Sequence, residues 1–587
     1  MVKDTSAKPL SYSIKFKNDT VDKLIRRKYG PGPIYVFASN MLNTRSEKRI
    51  RTMIGAIRIK PNWIVKMHDP EIRARWVAEA KSQGLTDKEI SYTFDELEFD
   101  ATLHDRDSGI YLSAVDSVWV SDSLIGAETT NELKRHIAIL ENVPEMHKDW
   151  HPNTNNQVLN LIHPSLFPLI YGRTMLVDKP IESPEAALRL ESFGVCPATR
   201  NEWESLLNED MKEVELSPWG YLRPPLCFVP GEPNWIASYK FCWLPTEFDV
   251  DELGTAKIIS YINNLHPIKH AALYPVIATI FTRFVPLLEN TVTDIVHRRD
   301  QRVVPDPYNW LIADEPQPED YNVPGYHARY SEWERNRKFV EPQPGAFIAP
   351  ERPAKPYSLR GRRLQAIVKM SNILLTPDNP EYKGGSWHVE AMTNERIIAT
   401  GIYYYDVENI TESHLNFREN VDNTLKYLQG DRDGMNRAYG IYEGENRHSD
   451  QVPLIQDIGQ VEAKSGRCIV FPNIYQHQVA GFKLADPRMP GHRKILAFFF
   501  VDPAIRIPST EIVPPQQRDW WAQTLEDVEA LRDLPDLVKN MVIDNVDYPI
   551  SFTEAKELRL ELMAERSTNN SKVNGSFFTP EFYLCEH

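Results

Sequence analysis

A histidine followed two residues later by a carboxylate is the smallest unit that can grip a metal ion from one side, and this sequence holds three: His147-x-Asp149, His388-x-Glu390 and His448-x-Asp450. In extended chain, residues two apart project to the same face, so an imidazole nitrogen and a carboxylate oxygen can reach one point. Context separates the three pairs. His147 lies in the polar bend "PEMHKDWHP" and His448 in the charged loop "GENRHSDQ", where hydrogen bonding within a turn accounts for both residue types. His388 lies in "GGSWHVE", after two glycines that let the backbone pass close to a ligand.

The third ligand comes about ninety residues later. "GRCIVFPNIYQHQVAGF" reads as a strand, a Pro-Asn turn and a second strand that opens near His477; the following apolar strand, "GHRKILAFFFVD", opens on Arg493. Two histidines and one carboxylate on adjoining strands are the facial triad of non-haem iron(II), which leaves coordination positions open. In enzymes that use it, a 2-oxo acid and dioxygen (O2) take those positions. Arginine suits the far carboxylate of the 2-oxo acid, because its planar fork holds both oxygens and keeps its charge. Lys483 and Arg488 are rival anchors in the intervening hairpin; Arg493 ranks first because it precedes an inward-alternating strand.

Strands must carry these residues. "RLQAIVKMSNILLT", "ERIIATGIYYYD", "RCIVFPN", "QHQVAGFKL" and "RKILAFFFVD" follow one another with turns and few helices between them, which predicts an antiparallel sandwich or barrel. "YKFCWLPTEFDV" and "TAKIISYI" add strands joined by the turn "DELG". The region before residue 180 reads as mainly helical. "DPEIRARWVAEAKSQG" has an Asp-Pro start and a Gly stop, "TTNELKRHIAILENV" has helical apolar spacing, and "ESPEAALRLESFG" has Ser183 as N-cap, Pro184 first and Gly194 last. A long amphipathic helix is expected over 266–298, kinked at Pro286, then a proline- and aromatic-rich loop over 305–356 that wraps over another domain. "TLEDVEALRDLPDLVKNMVIDNV" returns to helix.

Composition narrows the function classes. A chain of 587 residues with 42% apolar and 10% aromatic residues is a folded, multi-domain protein. Its net charge of -15 argues against nucleic acid as a partner, and the basic cluster of Arg360, Arg362 and Arg363 reads as a solvated edge. No apolar run approaches the ~20 residues of a membrane helix and no signal is visible at the start, so neither membrane nor secretion is expected. The five scattered cysteines form no Cys-x-x-Cys pair, which fits a cytoplasmic protein. Nucleophile-elbow, phosphate-loop and His-Glu-x-x-His motifs are absent.

On these motifs the chain resembles a known superfamily. "GRCIVFPNIYQHQV" and "HRKILAFFF" look like the metal-histidine and arginine strands of iron(II)/2-oxoglutarate dioxygenases, which fold as a double-stranded β-helix, or jelly roll. More narrowly, "SYINNLHP", "GGSWHVE", "ATGIYYYDVENITESHLNFR" and "HPSLFPLIYGRT" resemble a mostly fungal domain-of-unknown-function family within it, over roughly residues 10 to 520. The resemblance implies an α+β protein with Fe(II) on His388, Glu390 and His477, and 2-oxoglutarate on Arg493. Two departures stand out: the carboxylate is Glu390 where Asp is usual, and Arg493 follows His477 by a longer hairpin, "QVAGFKLADPRMPG", than is common, with Ile495 where many relatives have Ser. The implied organisation is a mainly helical region over 1–210, a jelly-roll oxygenase domain over 211–510 and a C-terminal helical extension over 511–587.

The expected activity is oxidation of an unactivated C–H bond of a small-molecule substrate by hydroxylation, desaturation or cyclisation. Two alternatives stay open here: the same chemistry on a protein side chain, or a non-catalytic jelly-roll scaffold. Trp387, Tyr403, Tyr405 and Phe417 are candidates to line the substrate cavity, against the plainer reading that such aromatics fill the core. Tyr403 and Tyr405 share one face of their strand and Tyr404 takes the other.

Overall fold

Two long strands pair side by side, and the rest of the protein is arranged around them. A computed structural model describes residues 40–189, 237–312, 322–441, 451–524, parts of 534–541, and 549–583, leaving out 178, 422–424, 454, 504–505 and 579–580. "RLQAIVKMSNILLT" and "RKILAFFFVD" form β7 (Arg362–Leu375) and β13 (Gly491–Val501), antiparallel from Ala366 opposite Phe500 to Leu375 opposite Gly491. Both faces of these strands are buried, which is why their sequences are nearly continuous apolar runs rather than clean alternations.

The remaining strands of this sheet are β1 (Tyr111–Leu112), β2 (Trp119–Ser121), β3 (Asp149–Trp150), β4 (Val158–Ile162), β5 (Thr246–Val250), β6 (Ala256–Ile258), β8 (Ile397–Glu408) and β11 (Cys468–Pro472). The ten strands run β1-β2-β11-β8-β13-β7-β4-β3, with β5 pairing β7 and β6. A smaller sheet has the order β10 (Ile455–Glu462), β9 (His414–Asn420), β12 (Tyr475–Val479). The protein is thus α+β, with antiparallel sheets.

Helices cover the main sheet. The long helix expected over 266–298 is α5 (Leu273–Val296), which runs through Pro286. Its Phe281 and Phe284 pack on Phe498, with ring centroids 5.2 and 5.4 Å apart. Burying each such phenylalanine contributes about 1.5–3 kcal/mol. The contact needs Gly401 on β8, because a Cβ there would lie 2.8 Å from the Phe284 ring.

The N-terminal part is less purely helical than its sequence suggests. It supplies α1 (Arg45–Arg58), α2 (Pro70–Ser82, capped by Asp69), α3 (Asp87–Thr102, with a Thr86/Glu89 capping box) and α4 (Ala127–Glu141). It also supplies β1 to β4, two to five residues each, too short to show a period of their own. Ser183 caps a five-residue 3-10 turn, Pro184–Leu188, rather than a longer helix; Gly194 lies outside the described residues, as does most of 525–548.

The 305–356 tract contains a helix, α6 (Tyr326–Asn336), within the expected loop. It touches several elements: Trp310 donates to Asp431 at 2.9 Å, Phe347 packs edge-on to Tyr92 of α3 at 5.5 Å, and Arg352 pairs with Asp294 of α5 at 2.8 Å. The last described helix is α7 (Phe552–Val573), capped by Ser551. Among the described residues, no helix is long and apolar enough to cross a membrane.

Candidate metal centre

β11 ends at Pro472, Asn473 and Ile474 turn the chain, and β12 carries His477 into the small sheet opposite Phe417 of β9. "GGSWHVE" lies antiparallel along the free edge of β12. His388 N–H donates to the His477 carbonyl at 3.1 Å, and His477 N–H donates to the His388 carbonyl at 2.9 Å. The glycines permit this approach. Gly384 has φ +96°, and a Cβ there would sit 2.8 Å from the Val479 carbonyl oxygen. Gly385 N–H donates to that carbonyl at 3.0 Å, and Gln478 donates to the Gly385 carbonyl at 2.8 Å.

The backbone thereby brings three side chains to one point. One ligand atom from each of His388, Glu390 and His477 lies within 4.8 Å of the others. Glu390 Oε1 is 3.2 Å from His477 Nε2 and 3.7 Å from His388 Nε2. The His388 Nδ1–H donates to the Ser386 carbonyl at 2.8 Å, which orients Nε2 toward the shared point. His388 keeps 34% of its side-chain exposure against 4% for His477, so the site opens on the His388 side.

Electrostatics suit a cation. Burial opposes the Glu390 charge, but the imidazoles of His388 and His477 beside it hold its pKa well below the usual carboxylate range. Burial and then the neighbouring His388 push His477 down to about 4, so it presents a neutral imidazole at neutral pH. Burial also works against a charged His388, but hydrogen bonding and attraction from Glu390 outweigh it and raise the pKa. Two neutral-capable imidazoles and an ionised carboxylate, converging within 4.8 Å, fit a divalent transition metal.

Asn473 was legible only as a turn residue, yet it holds the backbone of Glu390 in place. It is 2% exposed, accepts from Glu390 N–H at 2.9 Å and donates to the carbonyls of Glu390 at 3.2 Å and Ile397 at 3.1 Å. Asn473→Ala should lower metal affinity roughly 10- to 100-fold, the usual cost of losing a group that orients a ligand. Calorimetric metal titration, with circular dichroism to verify the fold, checks this; unchanged affinity would reduce Asn473 to a turn former.

Arg493 is 3% exposed at the start of β13. Its Nη1–H donates to Ser413 Oγ at 2.8 Å, and its guanidinium lies 5.6 Å from the Tyr404 ring and 5.1 Å from the Phe482 ring. Its buried Nε has no hydrogen-bond partner among the described residues. Burial pulls its pKa down, opposed by Tyr404 and Tyr382, yet an arginine stays charged. The two rivals lie on the surface: Lys483 is exposed opposite Glu381, and Arg488, 85% exposed, pairs with Asp486 at 2.8 Å.

The tyrosines divide as strand alternation predicts, with Tyr404 rather than the candidate pair Tyr403 and Tyr405 on the Arg493 side. Tyr404 takes the Arg493 side of β8, while the Tyr403 hydroxyl meets Thr130 of α4 at 2.7 Å and the Tyr405 hydroxyl donates to Asn372 at 3.1 Å. Tyr403 and Tyr405 therefore face the helical layer, not the cavity. A register shift between Tyr404 and Asp406 and burial on both faces hide this from the sequence. Phe417 is core, packed on Phe471 at 5.1 Å. Trp387 adjoins His388, half-buried, with the Arg418 guanidinium 4.5 Å over its ring. Asp149, the acid of the first His-x-acid pair, is bound by Arg559 at 2.7 Å, and His448 and Asp450 lie outside the described residues.

The sequence profile of a family described as "Protein of unknown function (DUF4246)" matches residues 87–524, which include His388, Glu390, His477 and Arg493. No curated protein matches. Among solved structures, a bsmA homologue from Methylobium petroleophilum PM1 aligns at 8% identity and TM-score 0.15, covering 25% of this chain and 44% of that one. The Fe(II)/(alpha)ketoglutarate-dependent dioxygenase TqaL aligns at 10% identity and TM-score 0.22, covering 67% of this chain and 98% of that one. At these scores neither likeness carries weight.

Proposed function

We propose that this chain, which belongs to the DUF4246 family of proteins of unknown function, is a non-haem iron(II), 2-oxoglutarate-dependent oxygenase of small organic molecules. The observation that carries the reading is the convergence of His388, Glu390 and His477 in a fold that also buries Arg493, a cation with an unmatched N–H. Holding such a set inside a protein is costly unless ligands complete it.

The strand order supports a jelly roll. Along the chain, β7, β8, β11 and β13 enter the main sheet, and the His388 segment, β9, β10 and β12 enter the small one. Neighbours in the main sheet read β11-β8-β13-β7, and in the small sheet β10-β9-β12 followed by the His388 segment. Both sheets are thus built by alternation of distant segments, as double-sheet jelly rolls are.

Iron(II) with 2-oxoglutarate and dioxygen would supply an oxidant able to take hydrogen from an unactivated C–H bond, with succinate and carbon dioxide as co-products. In this reading His388, Glu390 and His477 hold the ion. Arg493, with its unmatched Nε–H, would hold the far carboxylate of the co-substrate, and Tyr404 and Phe482 flank its guanidinium.

Anaerobic addition of iron(II) and then 2-oxoglutarate should produce the weak visible charge-transfer band of this chelate. A protein that binds iron(II) without ever giving the band would be a metal protein of another kind. In Arg493→Leu the metal titration should be unchanged, while the 2-oxoglutarate midpoint rises roughly 10- to 100-fold, the equivalent of about one charge-assisted hydrogen bond. If Lys483→Met shifts that midpoint and Arg493→Leu does not, the anchor lies elsewhere.

A further inference from the structure

Lys369, in the middle of β7, has no role in the reading above. In the antiparallel ladder with β13 it stands opposite Ala497, as Ser371 stands opposite Ile495 and Ile373 opposite Arg493. Paired residues project to one side, so Lys369 shares the face of Arg493 and Tyr404 that looks toward the small sheet. Four residues of β13 separate the two levels, roughly 13 Å along the strand.

The metal triad lies about two residues along from the Lys369 level, roughly 7 Å. Ala497 pairs on with Ile402 of β8, two residues from Thr400, whose partner on β11 is Phe471; that ring lies 4.8 Å from the His477 ring. Glu390 acts on the Lys369 ammonium, and burial lowers its pKa against that attraction. Among the described residues no hydrogen bond or ion pair reaches Lys369. Nearby cations from α7 are matched: Arg559 by Asp149 and Arg566 by Glu395.

Charge balance then decides what Lys369 is for, and the argument rests on the iron(II)/2-oxoglutarate reading. A ferrous ion and a doubly charged 2-oxoglutarate cancel, and the charges of Glu390 and Arg493 cancel each other. Lys369 remains as one positive charge in a partly desolvated cavity, beside a carboxylate already engaged as a ligand. A half-buried cation with no anion of its own is costly, so the missing charge comes from outside. We propose that Lys369 receives the carboxylate of the organic substrate, which is therefore a small carboxylic acid held between this lysine and the metal. A lone ammonium matches a single negative charge, which favours a carboxylate over a phosphate.

The test uses the full chain and a panel of small carboxylic acids, amino acids included, each paired with its primary amide. Binding is read by calorimetry and by perturbation of the charge-transfer band under anaerobic conditions. Wild-type protein should bind at least one acid roughly tenfold or more tightly than its amide. Lys369→Met should lose that preference and Lys369→Arg should keep it, both with an unchanged 2-oxoglutarate midpoint and no fall in melting temperature. Acids and amides binding alike, no acid binding, or a preference that survives in Lys369→Met would each overturn the proposal. So would loss of the 2-oxoglutarate band in Lys369→Met, which would place the lysine in the co-substrate site. A wild-type protein with no band but a Lys369-dependent acid preference would sink the iron reading and leave the anion site standing.

Discussion

His477→Ala should abolish tight iron(II) binding, lowering affinity by roughly 100-fold or more, because one of the three convergent donors among the described residues is gone. Glu390→Gln should do the same, since an amide keeps the shape and removes the charge. The fold should survive both changes. The bonds that lay the "GGSWHVE" segment on β12 are backbone bonds between residues 388 and 477, and neither substitution removes them. Metal also competes with the proton that Glu390 helps to hold on His388, so apparent affinity should fall as pH drops through the raised pKa of that histidine. His147→Ala is the control and should leave metal binding unchanged. Calorimetry with iron(II) under argon, repeated with manganese(II), reads all of these. Wild-type affinity in His477→Ala would end the assignment of the site.

The triad was legible because each half of it sits in a local pattern that chemistry constrains. Two glycines precede His388, and a strand ending in Phe-Pro precedes His477. The geometry of Arg493 followed from its place at the mouth of an inward-alternating strand. What stayed hidden depended on facts with no local signal. Tyr403, Tyr404 and Tyr405 are all 1% exposed or less, so alternation says that they divide but not which way. Lys369 sits in "AIVKMSN", where a lone lysine in an apolar strand ordinarily marks the solvent side; only pairing with β13 turns it inward. Asn570 and Asn574 also reach the site, with Asn570 donating to the Trp387 carbonyl at 3.0 Å and Asn574 touching both Gln476 and Arg418. They come from beyond residue 524, where the family profile stops, and no spacing connects them to the ligands.

Arg302→Met should cost about 3–5 kcal/mol of folding stability, the usual effect of removing one partner from a buried charge network. Arg302 is 2% exposed and binds Glu47 at 3.0 Å, Glu96 at 2.7 Å and Asp116 at 2.8 Å. Around it, Arg51, Arg58 and Arg299 meet the same acids and Asp100, so four cations balance four carboxylates where α1, α3 and the segment after α5 join. The variant keeps roughly the apolar stem of the side chain and leaves the acids one charge short. The pH dependence separates charge from packing. Burial opposes the charges of Asp116 and Glu96, but Arg302 and its neighbours outweigh it and hold both pKa values below the ordinary range. A carboxylate depressed in the folded state stabilises above its unfolded pKa, about 4, and that contribution is lost as pH falls through the folded value. Without Arg302 the folded pKa values rise and much of the contribution is already missing. The gap between wild type and variant in urea melts should therefore be widest near neutral pH and shrink toward about pH 3, as protonation relieves the unmatched acids. Arg488→Met, which breaks only the exposed pair with Asp486, should leave the melts unchanged. A gap as wide in acid as at neutrality would mean that Arg302 acts through packing alone.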